Sequence, residues 1–325
     1  MNWSLTRSID MSIFLNDSNE LRSGWRFATY LLIFGLFLFA TGAFISAVLD
    51  PSVPDSEVRL LGLNAFALLI PAVGSLLFMV RFVDRIPVST YGVVMHENWR
   101  RDLGLGLLIA VAMVLLFDLV GAVTGSVSVE MAPHDDDFWL NFLLVLVMLS
   151  ISAANEELVF RGYPLQVLMA GIGAWPAMIL LSGLFGLLHH LNPGATWLGT
   201  TNTFLAGILL SVAYLRTRSL WFPFGIHVGW NVVIGPVSGY AVSGIRISSI
   251  WTTEMSGTDW FTGGGYGPEG GALGTVVMMI AISAVLATRR VAISPTLQGL
   301  LIDHSSKVYA KDIVGSEPKA SEQLK

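Results

Sequence analysis

Cysteine is absent from this chain, which excludes disulfides, thiolate metal sites and a cysteine nucleophile. Charge is scarce as well. Asp, Glu, Lys and Arg make up 13% of the 325 residues, against about 25% in soluble domains, while 54% are hydrophobic. Mean hydropathy is +0.67. These figures exclude an ordinary soluble domain and predict an all-α integral membrane protein, multi-pass, with the lipid bilayer as a partner and no nucleic acid. No HExxH pair occurs, nor a GxSG serine site in an apolar helix, nor a GxGD aspartate motif. Internal repeats and inverted pairs of broken helices are missing too, which argues against the common transporter architectures.

What is there is a series of long apolar runs. A spanning helix needs roughly 20 mostly apolar residues, and eight segments approach that: about 25–49, 60–82, 103–124, 138–160, 174–190, 198–215, 219–238 and 271–288. With the N-terminus inside and strict alternation, sixteen of the eighteen basic residues fall on one side, and only Arg59 and Arg246 fall outside it. The expectation is about eight transmembrane helices, N-in and C-in. No signal peptide is read in residues 1–24, taken as a cytoplasmic segment. Residues 25–290 form the membrane domain. From residue 291 to 325 the chain turns polar and is expected to be a disordered cytoplasmic tail. Aromatics and glycines between Gly239 and Gly271 suggest a loop at the headgroup interface, with a lid as the alternative.

Three polar clusters interrupt the apolar runs: Glu156-Glu157 with Arg161, Phe185 with His189, and His227 with Trp230-Asn231. An ionisable side chain at bilayer depth costs at least a few kcal/mol unless paired or hydrated, so these residues need a reason to be there. Glu157 and Arg161, four apart, face each other on a helix and can neutralise one another. Glu156 points about 100° away and is left as the candidate general base. His227 and Asn231 share a face and can present two donors to an oxyanion. Glu157 with Arg161 also reads as a buried pair that only fixes packing. Phe185 and Trp230 read as packing residues, and His190 as a residue at the interface.

Depth tests whether the clusters can meet. If the fourth helix stopped at Arg161, Glu156 would lie near one face while His189, fifteen residues after Ala174, would lie about 22 Å away from it. The clusters meet only if that helix continues past Arg161, kinked at Pro164, to about Gly171.

The run Glu156-Glu157-Leu158-Val159-Phe160-Arg161-Gly162 resembles an EExxxRG motif, Phe185 to His189 an FxxxH motif and His227 to Asn231 an HxxxN motif. In this order they resemble the CPBP group, the CAAX-prenyl-protease and bacteriocin-processing membrane proteins also called Abi. The resemblance covers residues 138–238, extending through Gly267-Pro268-Glu269-Gly270-Gly271 to give a core of 138–271. It implies an intramembrane endopeptidase acting on a membrane-associated peptide or protein, of CAAX or bacteriocin-leader type, in the cell membrane if the source is prokaryotic. Glu156 and His189 would activate water, His227 and Asn231 would hold the oxyanion, and Glu157 and Arg161 would support them. The group has been described as metalloproteases. A metal-free site with no cofactor is the preferred expectation, and zinc held by Glu156, His189 and His227 stays open. Two rivals of other classes remain: a proton-coupled carrier using the same residues, and a catalytically silent scaffold or immunity protein.

Overall fold

The computed structural model describes residues 13–16, 20–49 and 56–300. Each of the eight apolar segments coincides with a helix. The helices are α1 (Ser23–Val48), α2 (Glu57–Phe78), α3 (Trp99–Val123), α4 (Phe138–Glu157), α5 (Tyr163–Ile172), α6 (Ala174–His189), α7 (Trp197–Thr217), α8 (Trp221–Val232), a single turn α9 (Asp259–Thr262) and α10 (Ala272–Ala287). Five stretches are long and apolar enough to cross a membrane: Ser23–Val48, Glu57–Val83, Trp99–Val123, Phe138–Ile172 and Trp197–Thr217. Ala174–His189 and Ala272–Ala287 are shorter apolar helices. Large apolar side chains such as Leu32, Phe39, Phe44 and Val123 stand exposed. Lipid tails, not water, are the solvent such a surface fits.

Arg161 does not end the fourth segment. A π-helical turn, Leu158–Gly162, joins α4 to α5, so one helical rod runs from Phe138 to Ile172. Pro164 sits in the first turn of α5, where its missing N–H costs nothing. Gly173 ends the rod with φ 87° and ψ 166°, a conformation essentially closed to other residues, and α6 starts at once. The rod therefore doubles back into α6 instead of leaving the membrane domain at Arg161.

Two tight helix contacts place the rest of the site. On α8, a Cβ at Gly225 would collide with the Leu103 carbonyl of α3, and one at Gly106 of α3 would stand 2.6 Å from the Phe222 carbonyl. On α7, a Cβ at Gly207 would stand 2.8 Å from Ser182 of α6. Small residues let these backbones approach closely, which is how helices pack where no hydrophobic effect drives them together. The largest apolar core lies among α3, α4, α7, α8 and α10, with Phe117, Val145, Phe222 and Ile234 fully enclosed.

The fold is not purely α. Strand β1 (Val127–Met131) pairs antiparallel with β2 (Trp251–Met255), Val129 opposite Thr253. The β-branched Val127, Val129, Thr252 and Thr253 suit strands, but each strand is only five residues long and lies in a loop. The segment 239–271 is more than an interface loop: Trp260 is exposed as expected, yet Tyr240, Tyr266 and Glu269 are buried against the helices. The first residues of the expected tail pack on the protein. Val291 and Leu297 are buried and residues 295–300 are helical. Residues 301–325, and most of the expected N-terminal segment, lie outside the described residues.

Candidate active site

The rod brings the three polar clusters together, and the site has a closed half and an open half. In the closed half, Arg161 reaches back one turn and its Nη1 donates to Glu157 Oε1 at 3.1 Å. Its Nη2 donates to the Gly207 carbonyl at 3.1 Å, a contact that the small residue and the close α6–α7 approach make possible. Both side chains are 1% exposed. An ion pair so far from water is costly unless its remaining donors and acceptors are met; His227 shares the oxygen that Arg161 uses, and Glu157 Oε2 is left buried without a hydrogen-bond partner. His227 Nδ1 donates to the same Glu157 oxygen at 2.8 Å. The guanidinium also lies 4.8 Å from the centre of the Phe185 ring, which makes Phe185 a cation–π wall as well as a packing residue.

In the open half, Glu156 Oε2 lies 3.6 Å from His227 Nε2 and 4.0 Å from His189 Nε2. His189 Nδ1 donates to the Phe185 carbonyl at 2.8 Å, which turns Nε2 toward Glu156. His227 is held in the same way, by Glu157 at Nδ1, with Nε2 toward Glu156. Two imidazoles, each fixed at Nδ1, thus present Nε2 to one carboxylate oxygen. That oxygen is buried and has no hydrogen-bond partner, although the Glu156 side chain as a whole is 24% exposed. Such an atom is costly unless a ligand or water completes it.

The same three residues are the zinc set that the sequence left open. Zinc bonds to oxygen and nitrogen are about 2.0–2.2 Å, so a spacing of 4.0 Å from Glu156 to His189 would put the ion almost on the line between them, not at a tetrahedral centre. Among the described residues no three His, Cys, Asp or Glu side chains are arranged to hold a metal ion. As they stand, the residues do not fit zinc.

Asn231 lies one turn beyond His227 on α8, half-buried, and its side chain makes no hydrogen bond among the described residues. Its amide is free for a ligand. His190, next to His189, is engaged elsewhere: Nδ1 is 2.7 Å from Thr200 Oγ1 and the ring stacks on Trp197 at 4.5 Å. Two residues that sequence reasoning passed over also hold the site. Asn155, immediately before the glutamate pair, is 1% exposed and donates to the Ala65 carbonyl of α2 at 2.7 Å, fixing α4 in rotation. Glu269 accepts from Trp230 Nε1 at 2.9 Å and from the Ser243 N–H and hydroxyl, each at 2.7 Å. This ties the 239–271 segment to α8 beside Asn231. The Gly-Pro-Glu-Gly-Gly run marked the region, but nothing in it separated Glu269 from a solvated charge.

Comparison with known proteins falls on this region. Residues 138–233 match the family model described as Type II CAAX prenyl endopeptidase Rce1-like. The chain is also similar to the uncharacterized protein YyaK of Bacillus subtilis (strain 168), 26% identical over 248 residues, 69% of this chain and 81% of the relative. No solved structure matches. The matched segment holds all of α4, the π turn, α5 and α6, and reaches the His227–Asn231 turn of α8. The chain is thus a multi-pass membrane protein that over that segment is similar to the Rce1-like CAAX prenyl endopeptidases.

Proposed function

We propose that this chain hydrolyses a peptide bond in a membrane-associated peptide, with Glu156 and His189 activating water and His227 and Asn231 holding the oxyanion. The observation that carries this reading is the convergence of His189 Nε2 and His227 Nε2 on one unpartnered oxygen of Glu156. A carboxylate with a vacant lone pair is the acceptor that a water proton needs. Spacings of 3.6 and 4.0 Å exceed hydrogen bonds, as is common in acid–base sets that tighten only on substrate. Water placed against Glu156 and His189 would attack the carbonyl carbon. The proton would go to Glu156 and from there to the leaving amine. Glu157 at Nδ1 balances the charge of a protonated His227, the form in which Nε2 carries a hydrogen for the oxyanion. The Asn231 amide, free and one turn away, is the second donor.

No step here needs a metal. The substrate class follows from the medium: a peptide reaching Glu156 must enter from the bilayer or its surface, as a prenylated C-terminal peptide or a hydrophobic leader would. In the topology that goes with this reading, eight helices cross and both termini lie inside. Arg161 is buried in the site and cannot vote on orientation, but fifteen of the other seventeen basic residues still fall on one side. In a prokaryote this is the cell membrane.

The test is proteolysis of a fluorogenic membrane peptide by the purified full chain in liposomes, wild type against Glu156→Gln. Cleavage by wild type alone supports the reading. Equal cleavage by both removes Glu156 from the chemistry.

A further inference from the structure

Away from the site, an apolar groove of about 540 Å³ runs between α1 and α2. Phe37 of α1 and Gly74, Leu77 and Phe78 of α2 form its walls, and Arg81 is the one charged residue that lines it. Gly74 sets its depth: a Cβ there would stand 3.2 Å from the Phe37 ring. Arg81 lies in the π-helical turn Met79–Val83 that ends the second long apolar stretch, Glu57–Val83, at the depth where hydrocarbon gives way to headgroups. Arg81 is exposed, its guanidinium lies 5.6 Å over the Phe82 ring, and it has no carboxylate partner among the described residues. Arg85, exposed, is likewise unpaired, and Ile86 beside it lines the groove.

Asp84, the acid between the two arginines in sequence, is already used. Asp84 accepts from Arg26 Nε at 2.8 Å and from the Tyr91 hydroxyl at 2.7 Å. Arg81 at the groove and Arg85, next in sequence to the groove-lining Ile86, therefore carry charge that no group among the described residues balances. The slot behind them is apolar and open to lipid. A neutral lipid would fill the slot but leave the cations unmatched, whereas a phosphate-bearing anionic lipid meets both demands at once.

We propose that the α1–α2 groove binds one anionic phospholipid, an acyl chain lying along Phe37, Gly74 and Leu77 and the headgroup phosphate held by Arg81 with Arg85. The full chain in mild detergent is titrated with dioleoylphosphatidylglycerol or dioleoylphosphatidylcholine, with glycerol 3-phosphate as a headgroup without chains, and bound molecules are counted by native mass spectrometry. Wild type is expected to retain one phosphatidylglycerol roughly tenfold more tightly than phosphatidylcholine. Arg81→Gln with Arg85→Gln is expected to erase that preference. Leu77→Trp, which fills the slot at an exposed position and leaves both cations, is expected to weaken retention of both lipids. Arg100→Gln, an equal loss of charge at another exposed position, is expected to change nothing. The proposal is overturned if wild type shows no preference, if the double variant keeps it, if Leu77→Trp binds like wild type, or if glycerol 3-phosphate displaces the lipid at equal concentration.

Discussion

Glu156 and Glu157 are neighbours in sequence and opposites in surroundings. Glu157 is 1% exposed and shares one oxygen between Arg161 and His227. Glu156 is 24% exposed, has no cation of its own, and leaves an oxygen unpartnered before two histidines. One helical step of about 100° separates them. Glu157 Oε2 is buried without a hydrogen-bond partner too, so the difference lies in the cation and the access: Arg161 neutralises Glu157 out of reach of solvent, whereas Glu156 is partly exposed and faces only the two histidines. On the proposed reading, the neighbouring ion pair carries the cost of order, and Glu156 is left facing the two histidines without a cation.

The sharpest way to break this comparison is to neutralise each glutamate in turn. Glu156→Gln keeps size and shape, and is expected to lower kcat by up to about 10⁴-fold while the thermal unfolding midpoint stays near wild type. The reverse pattern is expected from the closed half. Arg161→Met leaves Glu157 buried without its cation and is expected to cost about 3–5 kcal/mol of stability, read by denaturant unfolding in detergent. Adding Glu157→Gln to Arg161→Met is expected to recover part of that loss, because no uncompensated charge then remains. If Arg161→Met leaves stability unchanged and only slows cleavage, the division between support and chemistry is wrong. A chelator such as phenanthroline, added to the wild-type assay, is expected to leave the rate unchanged, and a loss restored by zinc would return the metal reading.

Much of this site was legible in the sequence because polar residues in apolar helices are conspicuous. Glu156, Arg161, His189 and His227 stand out against Leu, Val and Phe, and helical spacing pairs Glu157 with Arg161 as the structure does. The depth argument also fixed the continuation of the fourth helix past Arg161. The π turn at Leu158–Gly162 left no such trace, since one extra residue per turn changes no composition. A second π turn, Val233–Val237, follows Asn231 and holds Pro236, and it too went unseen. The strands escaped for a related reason: five-residue runs such as Val127–Met131 carry less periodicity than a spanning helix, and their partner is over a hundred residues away. Glu269 was hidden because its partners, Trp230 and Ser243, come from elements that only the fold brings together.

Two smaller effects sharpen the open half. Asn231→Ala removes one proposed oxyanion donor and is expected to lower kcat about 10²- to 10³-fold with KM little changed, because the donor matters only once charge has developed. The Asn231 side chain forms no hydrogen bond among the described residues, so its loss is expected to leave the unfolding midpoint in place.

The smallest expected effect comes from Trp230, which belongs to neither half by chemistry but adjoins Asn231. Trp230→Phe keeps most of the ring in the core and removes only the Nε1–H that Glu269 Oε1 accepts at 2.9 Å. A buried carboxylate oxygen without its donor costs about 1–3 kcal/mol, so stability should fall by that order. Ser243 still holds the other oxygen through two hydrogen bonds, which keeps the 239–271 segment near α8. Cleavage should therefore slow by less than it does in Asn231→Ala. Adding Glu269→Gln to Trp230→Phe is a double-mutant cycle: non-additive losses mean that Glu269 acts on the site through Trp230. Additive losses would mean that the segment reaches Asn231 by another route, and the open half would then need a boundary wider than the three motifs.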